Sequence, residues 1–193
     1  TFVEYDVPKE TDINLDLSLF KQILKRAKSS DILILELEDN RFKITMRSAT
    51  TKTYYLPLLD FEEKVQKVPN LTFAGSITLA SQHLAEAIED ADIIAESVAF
   101  LLSKEKLTIE AEADMSKARI EIPSDEKTKI EYTGKETLKA RYSIEYLKKM
   151  IAATKLASVA TVQFSNDYPL RMEFKDIDRL VMTFILAPRV DND

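Results

Sequence analysis

The clearest pattern in the sequence is an order of predicted elements that occurs three times. In the first repeat, residues 13–17 alternate apolar with polar side chains, as a half-buried strand does. Residues 19–29 carry apolar side chains at helical spacing. Three strand-like runs follow, at residues 32–38, 42–47 and 51–56. The pattern therefore predicts a strand, a helix and three further strands.

The same order of elements recurs twice. In the second repeat the predicted elements are a strand at 71–79, a helix at 80–91, and strands at 97–102, 107–112 and 118–122. In the third they are a strand at 138–142, a helix at 144–153, and strands at 159–164, 170–174 and 180–186. The helices open near Ser18, Ser81 and Ser143, which we take as N-caps, with a period of about 62 residues.

This periodicity predicts an α+β fold of repeated β-α-β-β-β units, with the helices on one face of antiparallel sheets. The second and third repeats would form a complete C-terminal domain at 71–193. Residues 58–70 lack a clear period and end in Val68-Pro69-Asn70, so we interpret them as an interdomain connector. Residues 1–57 would be the second half of a shortened N-terminal domain. The chain begins with Thr1, and we expect a further N-terminal repeat of about 55 residues.

Composition narrows the chemistry that the chain can perform. The 193 residues are 45% apolar and 31% charged, which suits a folded protein with a core. The chain has no cysteine, one histidine (His83) and two glycines, which argues against disulfides, Cys/His zinc sites, histidine catalysis and glycine-rich phosphate loops. The absence of cysteine also favours a cytosolic setting. No apolar run is long enough for a membrane span, and we find no signal-peptide pattern.

Basic residues are concentrated on the first and third predicted helices, although the net charge is −6. The first helix carries Lys21, Lys25, Arg26 and Lys28 without an acidic residue among them. The third helix adds Lys148, Lys149 and Lys155, and Arg141 precedes it. Such a surface is either a solvated basic face or a contact for the phosphates of a duplex, bound without sequence preference. No aromatic side chain lies among the basic residues of the first helix, which argues against stacking on single-stranded bases.

The second helix instead has an acidic exposed face, with Glu86, Glu89, Asp90 and Asp92. Three of these carboxylates could hold a hard cation or serve a hydrolase, but no neutral oxygen ligands or loop accompany them. A solvated acidic face is the better interpretation, and His83 has no evident partner for general-base chemistry. We therefore expect no metal, no cofactor and no catalytic residue.

Two predicted strands have the alternation of sheet edges. Residues 117–122 alternate charged with apolar side chains, and residues 51–56 are bounded by Pro57. Charged edges protect a sheet against aggregation. They could also pair between neighbouring subunits head to tail, which closes a ring if the rotation allows.

Four segments carry a family resemblance. They are residues 186–190 (LAPRV), 167–174 (DYPLRMEF), 58–69 (LLDFEEKVQKVP) and 23–27 (ILKRA). In their order and spacing, along all 193 residues, they resemble a DNA sliding clamp of the proliferating cell nuclear antigen (PCNA) family in its archaeal form. The resemblance begins after that family's first strand-helix repeat.

The resemblance implies a trimeric ring, closed by continuous sheet and lined by helices, through which duplex DNA passes and slides. It implies partners that insert a short hydrophobic motif: DNA polymerase, clamp loader, flap endonuclease and DNA ligase. The implied DNA-lining residues are Lys21, Lys25, Arg26, Lys28, Arg141, Lys148, Lys149 and Lys155. The implied partner pocket comprises Leu59, Phe61, Val68, Pro69, Tyr168, Pro169, Ile185, Leu186, Ala187, Pro188 and Arg189. The implied subunit interface uses Thr51, Thr53 and Tyr55 against Ala118, Ile120 and Ile122.

Two departures from the family pattern leave an alternative open. Ile185 stands where many members carry Tyr, and the second helix is acidic. The chain could instead be a clamp-fold interaction scaffold, or a specialised subunit of a heterotrimeric clamp that does not itself hold DNA.

Overall fold

The structure, a computed structural model, describes residues 2–60, 69–176 and 179–189 of the chain. The chain divides into two compact units, Thr1–Val68 and Pro69–Asp193. We refer to them as unit 1 and unit 2, and each is described by itself.

The described residues of unit 1 form one helix and one antiparallel sheet. Its elements are α1 (Leu17–Leu24), β1 (Ile32–Glu38), β2 (Arg41–Arg47) and β3 (Thr51–Pro57). The sheet order is β1-β2-β3. Asp39 and Asn40 form the two-residue hairpin turn between β1 and β2, and Asp39 has a φ of 48°, a conformation that such turns use.

The core of unit 1 is small. The amphipathic face of α1 buries Ile23 against Phe42, Ile44, Met46 and Leu56 of the sheet. Phe20 contacts the edge of Phe42, with ring centroids 5.9 Å apart. The helix itself is shorter than the predicted 19–29, since its C-cap is Lys25.

The predicted strand at residues 13–17 is wrong. These residues form no strand in the structure, and Asp16 is instead the N-cap of α1, accepting hydrogen bonds from the amides of Ser18 and Leu19 at 2.8 and 3.0 Å. Asp16, and not Ser18, therefore caps this helix. The alternation was genuine, but a strand forms only where a neighbouring strand accepts its backbone hydrogen bonds.

Unit 2 contains two helices and two sheets. Its strands are β4 (Gly75–Ala80), β5 (Ser97–Leu102), β6 (Lys106–Ala113), β7 (Ser116–Pro123), β8 (Lys129–Glu131), β9 (Leu138–Ser143), β10 (Val159–Phe164), β11 (Leu170–Asp176) and β12 (Leu180–Leu186). Its helices are α2 (Ser81–Asp92) and α3 (Ile144–Ile151), the latter followed by a 3-10 turn at Ala152–Lys155. The sheet orders are β12-β11-β10-β4-β8 and β7-β6-β5-β9, with every pairing antiparallel.

The two repeats of unit 2 exchange strands. The strand before α2, β4, pairs with β10 of the other repeat, and the strand before α3, β9, pairs with β5. One shared core results, in which Leu84 and Ile88 of α2 and Leu147 of α3 are completely buried. Phe100, Tyr142 and Phe164 pack edge to face at its centre. The exchange therefore gives unit 2 one core that both repeats share.

The predicted strands match those of the structure within a few residues, apart from two differences in unit 2. Residues 71–73, predicted as strand, have no regular structure, and the short strand β8 was not predicted. Ser81 is not an N-cap either, because its buried hydroxyl donates to the carbonyl of Ala157 at 2.6 Å. Within the described ranges, no helix has the length and apolar character needed to cross a membrane.

Replacing Leu84 with Ala tests the shared core of unit 2. Leu84 is completely buried, so we expect Leu84→Ala to lower the free energy of unfolding by about 2–5 kcal/mol, measured by denaturant titration. The adjacent exposed residue provides the control, since His83→Ala should change that free energy by less than about 0.5 kcal/mol. Equal effects of the two substitutions would contradict the placement of α2.

Candidate functional site

The exposed face of α1 and the turn after it carries four basic residues. Lys21, Lys25, Arg26 and Lys28 are all exposed, and Arg26 lines a surface depression together with Ile23 and Tyr55. None of the four forms a salt bridge with another described residue. Four like charges within eight residues attract an anion and give no local stabilisation to the helix. This surface has the charge needed to contact a polyanion.

The lysines of α3 are exposed but partly neutralised. Lys149 lies over the ring of Tyr146 and donates to the carboxylate of Glu145 at 2.8 Å, which lowers the pKa of that carboxyl. Lys148 donates to the carboxylate of Asp92 at 2.5 Å. Lys155 is exposed in the 3-10 turn. The lysines of α3 therefore present less uncompensated positive charge than those of α1.

Asp92 links the acidic helix to the basic one. The helices α2 and α3 pack against each other, so the carboxylate at the end of α2 reaches the ammonium group of Lys148. Both side chains remain substantially exposed, and such a pair contributes at most about 1 kcal/mol to stability. Its main effect is therefore to lower the positive potential beside α3.

Arg141 is placed differently from the lysines with which the sequence grouped it. In β9 the side chains of Ala140 and Tyr142 face the core on which α3 packs, and strand alternation turns Arg141 to the opposite face. Its carbonyl accepts a hydrogen bond from the amide of Arg189 at 2.7 Å. The structure thus groups Arg141 with the C-terminal tail.

The acidic face of α2 does not form a metal centre. Glu86, Glu89 and Asp90 are exposed, and nowhere in the described ranges do three or more His, Asp or Glu side chains converge to hold a metal ion. His83 is exposed beside them.

A second candidate surface surrounds the loop after β10. Tyr168 and Pro169 in this loop are half-buried. The hydroxyl of Tyr142 donates to the carbonyl of Tyr168 at 2.8 Å, and the ring of Phe73 meets that of Tyr168 edge to face at 6.2 Å. The loop is therefore held by contacts to fixed parts of unit 2.

Strand β9 supports this loop and the tail together. The amide of Lys139 donates to the side chain of Asn166 at 2.7 Å, and the carbonyl of Lys139 accepts from the amide of Asp167 at 3.0 Å. Two residues further along, the carbonyl of Arg141 accepts a hydrogen bond from the amide of the tail residue Arg189. The loop and the tail therefore both lie along the edge of β9 that does not pair with β5.

The remaining predicted pocket residues fall on three segments. In the tail, Leu186 and Pro188 are half-buried, whereas Ile185, Ala187 and Arg189 are exposed. Leu59 is exposed, its amide donating to the carbonyl of Asn14 at 2.9 Å, and Pro69 is exposed. Phe61 and Val68, with most of the predicted connector, lie outside the described residues, as does Val190.

Tyr142, Asn166 and Phe73 were missed by the sequence reasoning. The sequence could have indicated Tyr142, since a tyrosine at a core position of a strand needs a hydrogen-bond partner for its hydroxyl. The partner itself is far away in sequence, so the sequence could not identify it.

The two predicted edge strands are edges of their sheets. Strand β3 pairs only with β2, and β7 pairs only with β6. Thr51, Thr53 and Tyr55 are exposed, and Arg41 lies over the ring of Tyr55. Ala118 and Ile120 are half-buried and Ile122 is buried, while Arg119 forms salt bridges with Glu110 and Glu121 on the outer face. Both strands leave one row of backbone groups without a neighbouring strand among the described residues.

Comparisons of the chain with family models, curated proteins and solved structures all indicate the same family. The family described as "Proliferating cell nuclear antigen, C-terminal domain" matches residues 67–189. A protein of Thermococcus fumicolans named "DNA polymerase sliding clamp" is 32% identical over 99% of this chain and 77% of its own length. A protein of the same name from Thermococcus gammatolerans is 33% identical over 98% of this chain and 77% of its own length. A crystal structure of PCNA from Thermococcus kodakaraensis superposes with a TM-score of 0.83 at 27% identity, covering 97% of this chain and 77% of that one.

Replacing Tyr142 with Phe tests the support of the Tyr168 loop. The substitution removes the hydrogen bond to the Tyr168 carbonyl, so we expect the free energy of unfolding at neutral pH to fall by about 1 kcal/mol. Burial raises the pKa of Tyr142 above that of an unfolded tyrosine, so this residue stabilises the fold fully below about pH 10 and less at higher pH. The alkaline loss of stability should therefore be smaller in Tyr142→Phe than in the wild type.

The control is Tyr146→Phe, at an exposed tyrosine of α3. It should change neither the neutral stability nor the alkaline slope. An alkaline slope that is the same in Tyr142→Phe and the wild type would contradict the role of the buried hydroxyl.

Proposed function

The chain belongs to the proliferating cell nuclear antigen family of DNA polymerase sliding clamps, and we propose that it encircles duplex DNA as a ring of three subunits. In this role it is a processivity factor that tethers replication and repair enzymes to DNA. The observation that carries the DNA-binding part of the proposal is the set of four exposed basic residues on α1 and the turn after it, none of which forms a salt bridge with another described residue.

The charge on α1 suits a sliding contact. Lys21, Lys25, Arg26 and Lys28 would meet phosphate oxygens, whose positions hardly depend on base sequence. Weak contacts of this kind let a ring move, whereas base-specific contacts would hold it at one site. The net charge of −6 keeps other surfaces from competing for DNA.

Unit 2 would contribute Lys148, Lys149 and Lys155 to the same lining. The carboxylates of Asp92 and Glu145 reduce the positive charge that Lys148 and Lys149 present to phosphate. This observation favours a second candidate function, in which the chain is a clamp-fold scaffold or one subunit of a mixed ring whose other subunits bind DNA more strongly. Arg141 has a half-buried side chain beside the tail and would contribute less than the helical lysines.

Ring closure would use the edges β3 and β7. Thr51, Thr53 and Tyr55 of one subunit would lie along Ala118, Ile120 and Ile122 of the next, with the backbones continuing one sheet. Such a contact is head to tail, and it leaves no open β3 or β7 edge once three subunits close.

The partner surface would comprise the tail and the Tyr168 loop, joined by the connector residues. A short hydrophobic motif of a DNA polymerase, clamp loader, flap endonuclease or DNA ligase would bind there. Support comes from the shared attachment of the loop and the tail to β9. We place this activity at the nucleoid in the cytoplasm of an archaeal cell, with no membrane partner, no cofactor and no catalysis by the clamp itself.

Charge reversal on the helices tests the DNA lining. We expect replacement of Lys21, Lys25, Lys148 and Lys149 by Glu to shorten retention on closed circular DNA by more than about tenfold, because phosphate attraction becomes repulsion. Retention is measured by surface plasmon resonance or gel filtration after loading. On linear DNA the wild type itself should dissociate quickly, since a ring slips off the free ends.

Asp92→Asn should change the retention on DNA in the opposite direction. It frees Lys148 from its carboxylate partner, so retention on circles should lengthen by about threefold. If the fourfold variant retains circular DNA as the wild type does, with its assembly intact, the scaffold function is favoured and the proposed lining is incorrect.

Introduced cysteines test ring closure, since the chain has none of its own. We expect Thr53→Cys and Ala118→Cys chains, mixed and treated with a short bismaleimide, to give a two-chain product on a denaturing gel. The double variant should give linked products that end at three chains. Each single variant alone is the control and should remain unlinked. Products that extend beyond three chains, or no product from the mixture, would contradict closure through β3 and β7.

A further inference from the structure

A surface depression lies between α1 and the edge strand β3. Leu19, Gln22 and Arg26 line it from the helix and the turn after it, and Tyr54 and Tyr55 line it from the strand. The three helical residues are exposed, and β3 pairs only with β2 among the described residues. This flank of α1 therefore faces an open edge, at the side of the sheet opposite to β1.

The repeat places three residues of α2 at the equivalent positions. The three exposed residues of the helical wall lie three, six and ten positions after the last residue before α1. His83, Glu86 and Asp90 lie at the same intervals after the last residue before α2, and all three are exposed. Asp92, which reaches α3, is about 200° around the helix from Asp90. Because α2 packs against β6 and β7, the flank away from α3 faces the β7 edge.

The proposed ring contact would bring these two flanks together. In β3, Tyr54 and Leu56 face the core under α1, and in β7, Ala118 and Ile120 face the core that α2 covers. Side chains alternate along a strand, so a continuous sheet with these four residues on one face has both helices on that face. Helix α1 of one copy then lies beside α2 of the next.

The two helices have opposite charge. Residues 17–28, which comprise α1 and the turn after it, contain four basic and no acidic side chains. Residues 81–92, which are α2, contain four acidic side chains and no Lys or Arg. Arg26, Glu86 and Asp90 form no salt bridge with another described residue. The acidic face of α2 is therefore complementary to α1 of another copy.

The direction of the helices selects the residues that meet. Helix α1 runs antiparallel to β3, since the carbonyl of Asn14 before the helix accepts from the amide of Leu59 after the strand. The repeat gives α2 the same direction relative to β7. If β3 and β7 pair antiparallel, as each does with its present neighbour, the two helices are antiparallel as well. Arg26, after the end of α1, then lies beside the first two turns of α2, where Glu86 is exposed.

We propose that α1 and α2 of neighbouring copies pack side by side where β3 meets β7, and that Arg26 of one copy forms an ion pair with Glu86 of the next. Asp90, one turn further along α2, adds to the same negative field. The chain carries both halves of this contact, so it forms the ring with copies of itself and not as one subunit of a mixed ring. This inference rests on the proposed closure through β3 and β7.

Reversal and exchange of the two charges test the contact. We expect Arg26→Glu and Glu86→Arg each to raise the dissociation constant of the assembly by about tenfold, because an attraction becomes a repulsion. Light scattering without DNA measures this constant. A chain with both substitutions should return to within about threefold of the wild type, a gain that misfolding cannot produce. Lys28→Glu and Glu89→Arg make the same charge changes away from the two flanks and should leave the constant unchanged.

A mixture of the two single variants adds a test of ring size. At this contact Arg26→Glu chains present two acidic sides and Glu86→Arg chains two basic sides, so only unlike chains attract each other. A ring of three cannot alternate two kinds of chain, and at least one contact between like chains remains. We expect the mixture to form pairs readily but to assemble less tightly than the chain that carries both substitutions.

Cross-linking separates this inference from the ring itself. If Thr53→Cys and Ala118→Cys chains are linked by bismaleimide, but the charge reversals leave the dissociation constant unchanged, the ring stands and the contact between Arg26 and Glu86 is overturned. The contact is also overturned if the chain with both substitutions assembles no better than the single variants. Absence of the linked product from chains without charge changes would overturn the closure through β3 and β7, and this contact with it.

Discussion

The structure depends on one constraint: a strand-helix-three-strand repeat cannot bury both its sheet and its helix alone. Unit 2 meets this constraint by exchange, since β4 and β9 each pair with the other repeat and close a common core around Phe100, Tyr142 and Phe164. Unit 1 has a single repeat among the described residues and a smaller core. This difference between the units follows from the number of repeats that the described residues of each contain.

The same packing decides the electrostatics of the helices. In unit 2 the exchange brings α2 beside α3, and Asp92 then neutralises Lys148. Helix α1 has no helical neighbour in the described part of unit 1, and the basic residues on it and on the turn after it form no salt bridge with another described residue. A sliding clamp needs a surface that attracts phosphate weakly, and α1 supplies such a surface more fully than α3 does.

Strand β9 connects the core to the proposed partner surface. On its buried side Tyr142 stabilises the core and donates to the Tyr168 loop. Through its backbone, Lys139 holds that loop and Arg141 holds the tail. A partner that binds the loop and the tail would therefore meet a surface fixed by the folded core, which reduces the conformational entropy lost on binding.

Local periodicity was sufficient to predict the three helices, nearly all strand bounds to within a few residues and the two sheet edges. The sequence by itself also determined the basic character of α1 and, through short motifs, the family. Tertiary structure alone decided that residues 13–17 are not a strand, that Lys148 is paired with Asp92 and that Arg141 faces away from the lysines of α3. Each of these depends on which distant segment lies alongside. Hydrogen bonds and charges between elements act over a few ångströms in space, and a pattern along the chain does not specify those distances.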